Sequence, residues 1–119
     1  MTEKNKLKFK RIHRDSRGDI YAIYAGSREY ILLVTKKGSR RGGDYHQSIQ
    51  HDTVLDGRVK VVSLKKELML QEGQTVTFGP NEPHYIEATS DCLILEWLEG
   101  SFEKKYFKPY RDLIEEKMK

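Results

Sequence analysis

The sequence predicts an all-β chain, an antiparallel β-barrel followed by a short C-terminal helix. Three observations predict it. Short β-branched and aromatic runs recur about every ten residues. Glycine, Asp-Gly and Gly-Pro-Asn signals separate them. Apolar spacing of helical period is confined to the tail. With 119 residues there is room for one hydrophobic core, so a single domain over 1–119 is expected.

In chain order, Leu7, Phe9 and Arg11 alternate with lysines, as an edge strand does. Asp15-Ser16-Arg17-Gly18 reads as a turn. Residues 20–25 and 30–35 read as strands split by Gly26-Ser27, and Gly38, Gly42 and Gly43 then interrupt the chain. Asp56-Gly57, between Val54-Leu55 and the run 59–62, suits a two-residue hairpin turn with positive φ at both positions. Further strands are expected at 66–71, 75–78, 84–88 and 92–98. Tyr110, Leu113, Ile114 and Met118 share one helical face behind Pro109, which suits a first helical position, so a helix is expected over 109–118. A helix of ~10 residues does not stand alone in water, so it must dock on the barrel or on a neighbouring subunit.

Composition narrows the function classes. Apolar residues make up 37% and charged residues 34% of the chain, and no run approaches the ~20 apolar residues of a membrane helix. The start, MTEKNKLKFK, is charged and lacks the apolar stretch of a secretory signal. A single cysteine, Cys92, rules out an internal disulfide framework, and a cytoplasmic setting is expected. The net charge of +4 comes without the long basic stripe, interleaved with aromatics, of a nucleic-acid binder. Lys36, Lys37, Arg40 and Arg41 cluster instead, as a rim that attracts an anionic small molecule or as a solvated loop.

Two segments carry chemistry. GGDYHQSIQHDTVLDG spans 42–57, and GQTVTFGPNEPH spans 73–84. In this order, with a hairpin between them, they resemble the two motifs of the cupin superfamily. That resemblance implies a jelly-roll barrel and a metal set of three histidines and a glutamate. Here Asp44 stands at the first histidine position, His46 at the second, Gln50 at the glutamate and His84 at the last histidine. Asp44 and His46 share strand parity, so both face one side. Fully extended, His46 and Gln50 would lie about 13 Å apart, so the chain must fold back near Gln47-Ser48-Ile49. His51 has the opposite parity to Gln50 and is expected outside. Asp44, His46 and His84 form a two-histidine, one-carboxylate composition suited to Fe, Mn, Ni or Zn, with Gln50 a weak neutral fourth ligand. The competing reading is a pocket whose polar groups hydrogen-bond one another. Tyr45 and Tyr85, of opposite parity, are expected outside the pocket or at a subunit interface. Tyr21 and Tyr24 read as strand aromatics, Cys92 as a buried thiol, His13 as a surface or strand histidine and Trp97 as core or interface packing, with stacking on a sugar or base as the alternative.

HRDSRGDIYAIY followed by RRGGDYHQ also resembles, more weakly, the deoxysugar epimerases and ketoisomerases among cupins. Asp44 falls where those enzymes carry their histidine base, and a carboxylate is a weaker base at neutral pH unless burial raises it. His46 and His84 are the other candidates for that role. Two functional readings follow. One is an isomerase-like or epimerase-like cupin acting on an anionic carbohydrate such as a sugar phosphate or sugar nucleotide, with Arg40 and Arg41 at the rim. The other is a non-catalytic cupin module that binds a ligand or a metal. A homodimer is expected in either case, because a chain this small has difficulty covering both its helix and its edge strand.

Overall fold

The computed structural model describes residues 7–100 and 103–118. The stretch 1–6, on which the expectation of no secretory signal largely rests, lies outside the described residues. So do residues 101, 102 and 119 of the expected domain.

The strands are β1 (Leu7–Asp15), β2 (Gly18–Ala25), β3 (Arg28–Thr35), β4 (Arg40–His46), β5 (Ile49–Asp56), β6 (Arg58–Ser63), β7 (Glu67–Gln71), β8 (Thr75–Phe78), β9 (His84–Ala88), β10 (Cys92–Glu99) and β11 (Lys104–Tyr106). One helix, α1 (Lys108–Met118), follows. All pairings are antiparallel, in a six-stranded sheet ordered β1-β2-β3-β10-β5-β8 and a five-stranded sheet ordered β11-β4-β9-β6-β7. Strands distant in sequence lie side by side, β3 and β5 flanking β10, and β4 and β6 flanking β9. This is the jelly-roll barrel that the sequence predicts. The segment 40–56, in which the sequence reading places Asp44 and His46 on one strand and Val54-Leu55 on another, forms β4 and β5, which belong to different sheets. β5 and β6 do not pair with each other, so Asp56-Gly57 carries the chain from one sheet to the other instead of closing a hairpin, and of the two only Gly57 takes a positive φ (90°). The three-residue β11 has no sequence signal at all.

Period-2 alternation places the core between the sheets. Val54 and Ile94 pair across β5 and β10, and Val59 and Val61 pair with Ala88 and Ile86 across β6 and β9. With Leu33, Leu70, Val76, Phe78 and Cys92 these residues form one buried cluster. It occupies only part of the interior, because β4 carries no large apolar side chain inward.

β4 is irregular for a local reason. Its register against β9 jumps between Gly42, opposite Tyr85, and Asp44, opposite His84. Gly42 and Gly43 there take φ of 100° and 75°, a region disfavoured for residues with a Cβ. A Cβ on Gly43 would also lie 2.7 Å from Ile114 Cδ1 and 3.1 Å from the Arg111 backbone nitrogen. Glycine therefore makes the bulge and lets α1 press directly on β4. The helix docks on the barrel's outer side, with Ile114 fully buried, Tyr110 edge-on to Tyr85 at 4.9 Å, and Arg111 Nη1 donating to the Gly42 carbonyl (3.1 Å).

Candidate metal and ligand site

The bulge decides what faces inward. Arg41 and Asp44 are three residues apart, so strict alternation would put them on opposite faces. The extra residue restores parity, and Arg41, Asp44 and His46 are all buried along one wall of a cavity of about 540 Å³. β9 adds His84 to this wall. The chain leaves the sheet after His46, crosses at Gln47-Ser48 and enters β5, which brings Gln50 back toward His46. Ile20, Ile31, Leu33 and Leu98 line the cavity as well, from inward positions of the six-stranded sheet. The cavity therefore has a polar wall and an apolar one.

Asp44, His46 and His84 converge, each offering one donor atom within 4.8 Å of the others. His84 Nδ1 donates to the Glu82 carbonyl (2.8 Å), which leaves the Nε2 lone pair free. That Nε2 is buried with no hydrogen-bond partner among the described residues and lies 3.4 Å from Asp44 Oδ1. Phe78 stacks on the ring at 3.9 Å and 8° and orients it, and burial lowers the pKa of His84, which favours the neutral ring. A neutral imidazole with a free, aimed lone pair beside a carboxylate is what a divalent transition metal requires. The donor set fits the cation.

His46 is more heavily engaged. Its Nδ1 faces the Ser48 carbonyl (2.9 Å) and its Nε2 faces Gln50 Oε1 (2.8 Å). The Gln50 amide nitrogen donates to Asp52 Oδ2 (2.7 Å) and Glu96 Oε1 (2.9 Å). Gln50 thus links the triad to two acids that motif reasoning missed. Burial, then the Glu96 charge, raise the Asp52 pKa well above the carboxylate range, and burial likewise raises Glu96. Both carry a legible signal in sequence, since Asp52 has the inward parity of Gln50 and Val54, and Glu96 that of Cys92 and Ile94.

The basic rim is placed differently from the sequence expectation. Arg40 points to the outer side, its Nε 2.6 Å from Glu87 Oε1 and its Nη1 donating to the Leu113 carbonyl (3.2 Å). Arg41 lies inside the barrel, not at its rim. Lys36 and Lys37 are exposed and do not line this cavity, whereas Lys104 and Arg111 do. Lys104 Nζ lies 3.9 Å from Asp44 Oδ2. Asp15 and Arg17 also line the cavity as an ion pair of 2.7 Å, and hydrogen bonds from Arg17 hold the Asp15 carboxyl far below its ordinary range. His13, expected at the surface, is exposed and reaches Asp15 Oδ2 (2.8 Å) at the mouth. Tyr85 is on the outer side under α1. His51 is outside too, stacked on Trp97 at 5.1 Å, so Trp97 lies on the sheet's outer face and not in the core.

No family model matches the chain, and no curated protein matches it in sequence. Solved structures do match. CapF of Staphylococcus aureus, a capsular polysaccharide assembling protein, superposes with a TM-score of 0.67 at 16% identity, over 82% of this chain and 30% of that one. An RmlC-like cupin from Shewanella frigidimarina gives 0.62 at 14% identity, over 82% of this chain and 87% of that one. The chain has the cupin fold. Oxalate decarboxylase shares it with a TM-score of 0.66 at 15% identity, over 92% of this chain and 32% of that one. The chain spans about a third of the length of CapF and of oxalate decarboxylase. Within this cupin fold, β4 and β9 supply the triad and β5 supplies Gln50.

Proposed function

We propose that this cupin-fold protein holds a divalent Fe, Mn, Ni or Zn ion on Asp44, His46 and His84 and binds a small anionic, hydroxyl-bearing molecule beside it. The observation that carries this reading is His84 Nε2, buried, unpartnered among the described residues and 3.4 Å from Asp44. When bound, such a cation supplies Lewis acidity toward a ligand oxygen. The chain's own groups do the rest. Glu82 fixes the tautomer of His84, Phe78 fixes its ring plane, and Gln50 connects His46 to the acid pair. Asp44, His46 and His84 are also the candidates to hold or move a proton at a sugar carbon in an isomerase-like or epimerase-like reaction. The likeness to a polysaccharide-assembling protein and to an RmlC-like cupin supports a carbohydrate as ligand.

The non-catalytic reading has one observation in its favour. Both nitrogens of His46 face neighbouring oxygens, as in a binding site with no free base. NMR of a bound sugar separates the two, since exchange or isomerisation of a ring proton identifies the enzyme.

The same proposal places the chain in the cytoplasm as one domain over 1–119, with small-molecule and not nucleic-acid partners. It also makes the protein a homodimer through the outer face of the six-stranded sheet, where Tyr30, Leu32, Leu95 and Trp97 are only half-buried. No helix of the described residues is long and apolar enough to cross a membrane. Elemental analysis of the purified protein tests the metal. His46→Ala and His84→Ala are each expected to reduce bound metal to background, while Tyr45→Phe retains it. Metal content unaffected by both histidine changes would leave only a hydrogen-bonded polar pocket.

A further inference from the structure

The three triad residues are not held in the same way. His46 is engaged on both nitrogens, by the Ser48 carbonyl and by Gln50, and His84 is held by the Glu82 carbonyl and the Phe78 ring. No hydrogen bond of this kind orients Asp44 among the described residues. Its carboxylate lies 3.4 Å from His84 Nε2 and 3.9 Å from Lys104 Nζ. The direction of Asp44 therefore depends on the backbone before it, where Gly42 and Gly43 take positive φ and have no side chains to fix the bulge. The C-terminal segment holds both glycines. Arg111 Nη1 donates to the Gly42 carbonyl (3.1 Å), and the Phe107 amide donates to the Gly43 carbonyl (2.8 Å). Ile114, 0% exposed, closes the space a Gly43 Cβ would take, with Cδ1 only 2.7 Å from that position. β11 runs along the edge of β4 across the candidate ligands themselves, Lys104 opposite His46 and Tyr106 opposite Asp44. Arg111 in turn lies over the Tyr106 ring, 4.6 Å from its centre.

We propose that Phe107, Arg111 and Ile114 are positioning residues of the metal site. They hold the Gly42-Gly43 bulge in the geometry that presents Asp44 to His46 and His84, so docking of α1 and binding of the metal strengthen each other. The proposal rests on the reading of Asp44, His46 and His84 as the metal site, and it adds what controls that site. α1 has two states open to it. At 11 residues it does not persist as an isolated helix, and Ile114 is its one buried side chain among the described residues. Losing that seat undocks the helix and unfolds it. Undocking takes away the Arg111 donor and the Ile114 contact and leaves two adjacent glycines free to rotate. Asp44 then moves, while the independently anchored His46 and His84 stay. The positioning residues act through Asp44, as partners behind a metal ligand do, and such partners are worth about 10- to 100-fold in metal affinity. Coupling of this kind is reciprocal, so the factor that docking adds to metal affinity is the factor that bound metal adds to docking.

Competition for Ni(II) between the full chain and a chromophoric chelator tests it. Leu113→Ser is the control, since Leu113 is on the same helix and 39% exposed. Ile114→Ser is expected to weaken Ni(II) binding by about 10- to 100-fold while the far-ultraviolet spectrum of the barrel is kept. Ile114→Val should restore most of the loss, and Leu113→Ser should bind as the wild type does. Should Ile114→Ser not fold, Arg111→Met, which removes the donor to Gly42, takes its place with the same expectation. Hydrogen–deuterium exchange of the wild type reads the reverse direction, and saturating Ni(II) is expected to slow the α1 amides by the same factor. Imidazole NMR spectra of the metal-free protein read the coupling without metal. Displacing Asp44 from beside His84 Nε2 shifts the His84 signals in the helix variant, and Leu113→Ser leaves them in place. Unchanged Ni(II) affinity in the helix variant, α1 exchange indifferent to Ni(II), or His84 signals that do not move would each overturn the proposal. A wild type that takes up no Ni(II) overturns the metal reading alone, and the His84 spectra then decide the positioning role.

Discussion

One half of the barrel interior is filled by Val54, Val59, Val61, Val76, Ile86 and Ile94. The other half, between β4 and the facing ends of β3, β5 and β10, is a cavity lined by Arg41, Asp44, His46, Gln50, His84 and Glu96. The same alternation produces both, and the difference lies in what occupies the inward positions. β6 places Val59 and Val61 there, while β4 places an arginine, an aspartate and a histidine. Apolar burial of the first kind stabilises a fold at roughly 25 cal/mol per Å². Buried charge of the second kind works against it. The contrast puts packed apolar side chains on β5, β6 and β9 and buried polar ones on β4, with β9 contributing to both through Ile86 and His84.

Substitutions on the two sides should therefore differ in sign. The largest effect belongs to the packed half. Ile94→Ala, at a site 1% exposed, should lower the unfolding free energy by about 2–5 kcal/mol in urea titrations, while the folded fraction keeps its metal content. A loss of metal with little loss of stability would mean that the two halves are not separable.

The smaller effect belongs to the acid pair and has the opposite sign. The Asp52 carboxyl is raised in the folded state, first by burial and then by Glu96. Between the ordinary carboxylate range and that raised value, the folded protein binds a proton more tightly than the unfolded chain does. Stability accordingly falls as pH rises through that interval. Asp52→Asn keeps an acceptor for Gln50 and a donor for Glu96 without the charge. It should raise stability at neutral pH by about 1–3 kcal/mol and reduce the fall with pH, as measured by urea unfolding at several pH values. An unchanged pH dependence would show that Asp52 does not titrate with the fold.

How much of this was legible in the sequence depended on whether local rules hold. Asp44 and His46 could be placed on one face because two residues apart means equal parity. The return of Gln50 followed from the reach of an extended chain. Arg41 could not be placed, because the bulge at Gly42 and Gly43 inverts parity, and neighbouring glycines suggest an irregularity without fixing its register. The cluster of Lys36, Lys37, Arg40 and Arg41 looked like one rim because charge in sequence carries no direction. In the fold, Arg40 turns out to Glu87 and Arg41 turns inward to Thr35. Glu96 was hidden in the run CLILEWL, where a carboxylate at inward parity is the informative residue and the apolar neighbours draw attention from it. The strand β11 has three exposed residues and no pattern to detect.

Crystals grown with Ni(II) or Zn(II) and measured at the absorption edge of the metal test the central claim most directly. One anomalous peak per chain is expected, about 2.0–2.2 Å from an Asp44 carboxylate oxygen and from the Nε2 atoms of His46 and His84. No peak at the triad, or a peak held only by exposed groups such as His51 and Glu99, would contradict it.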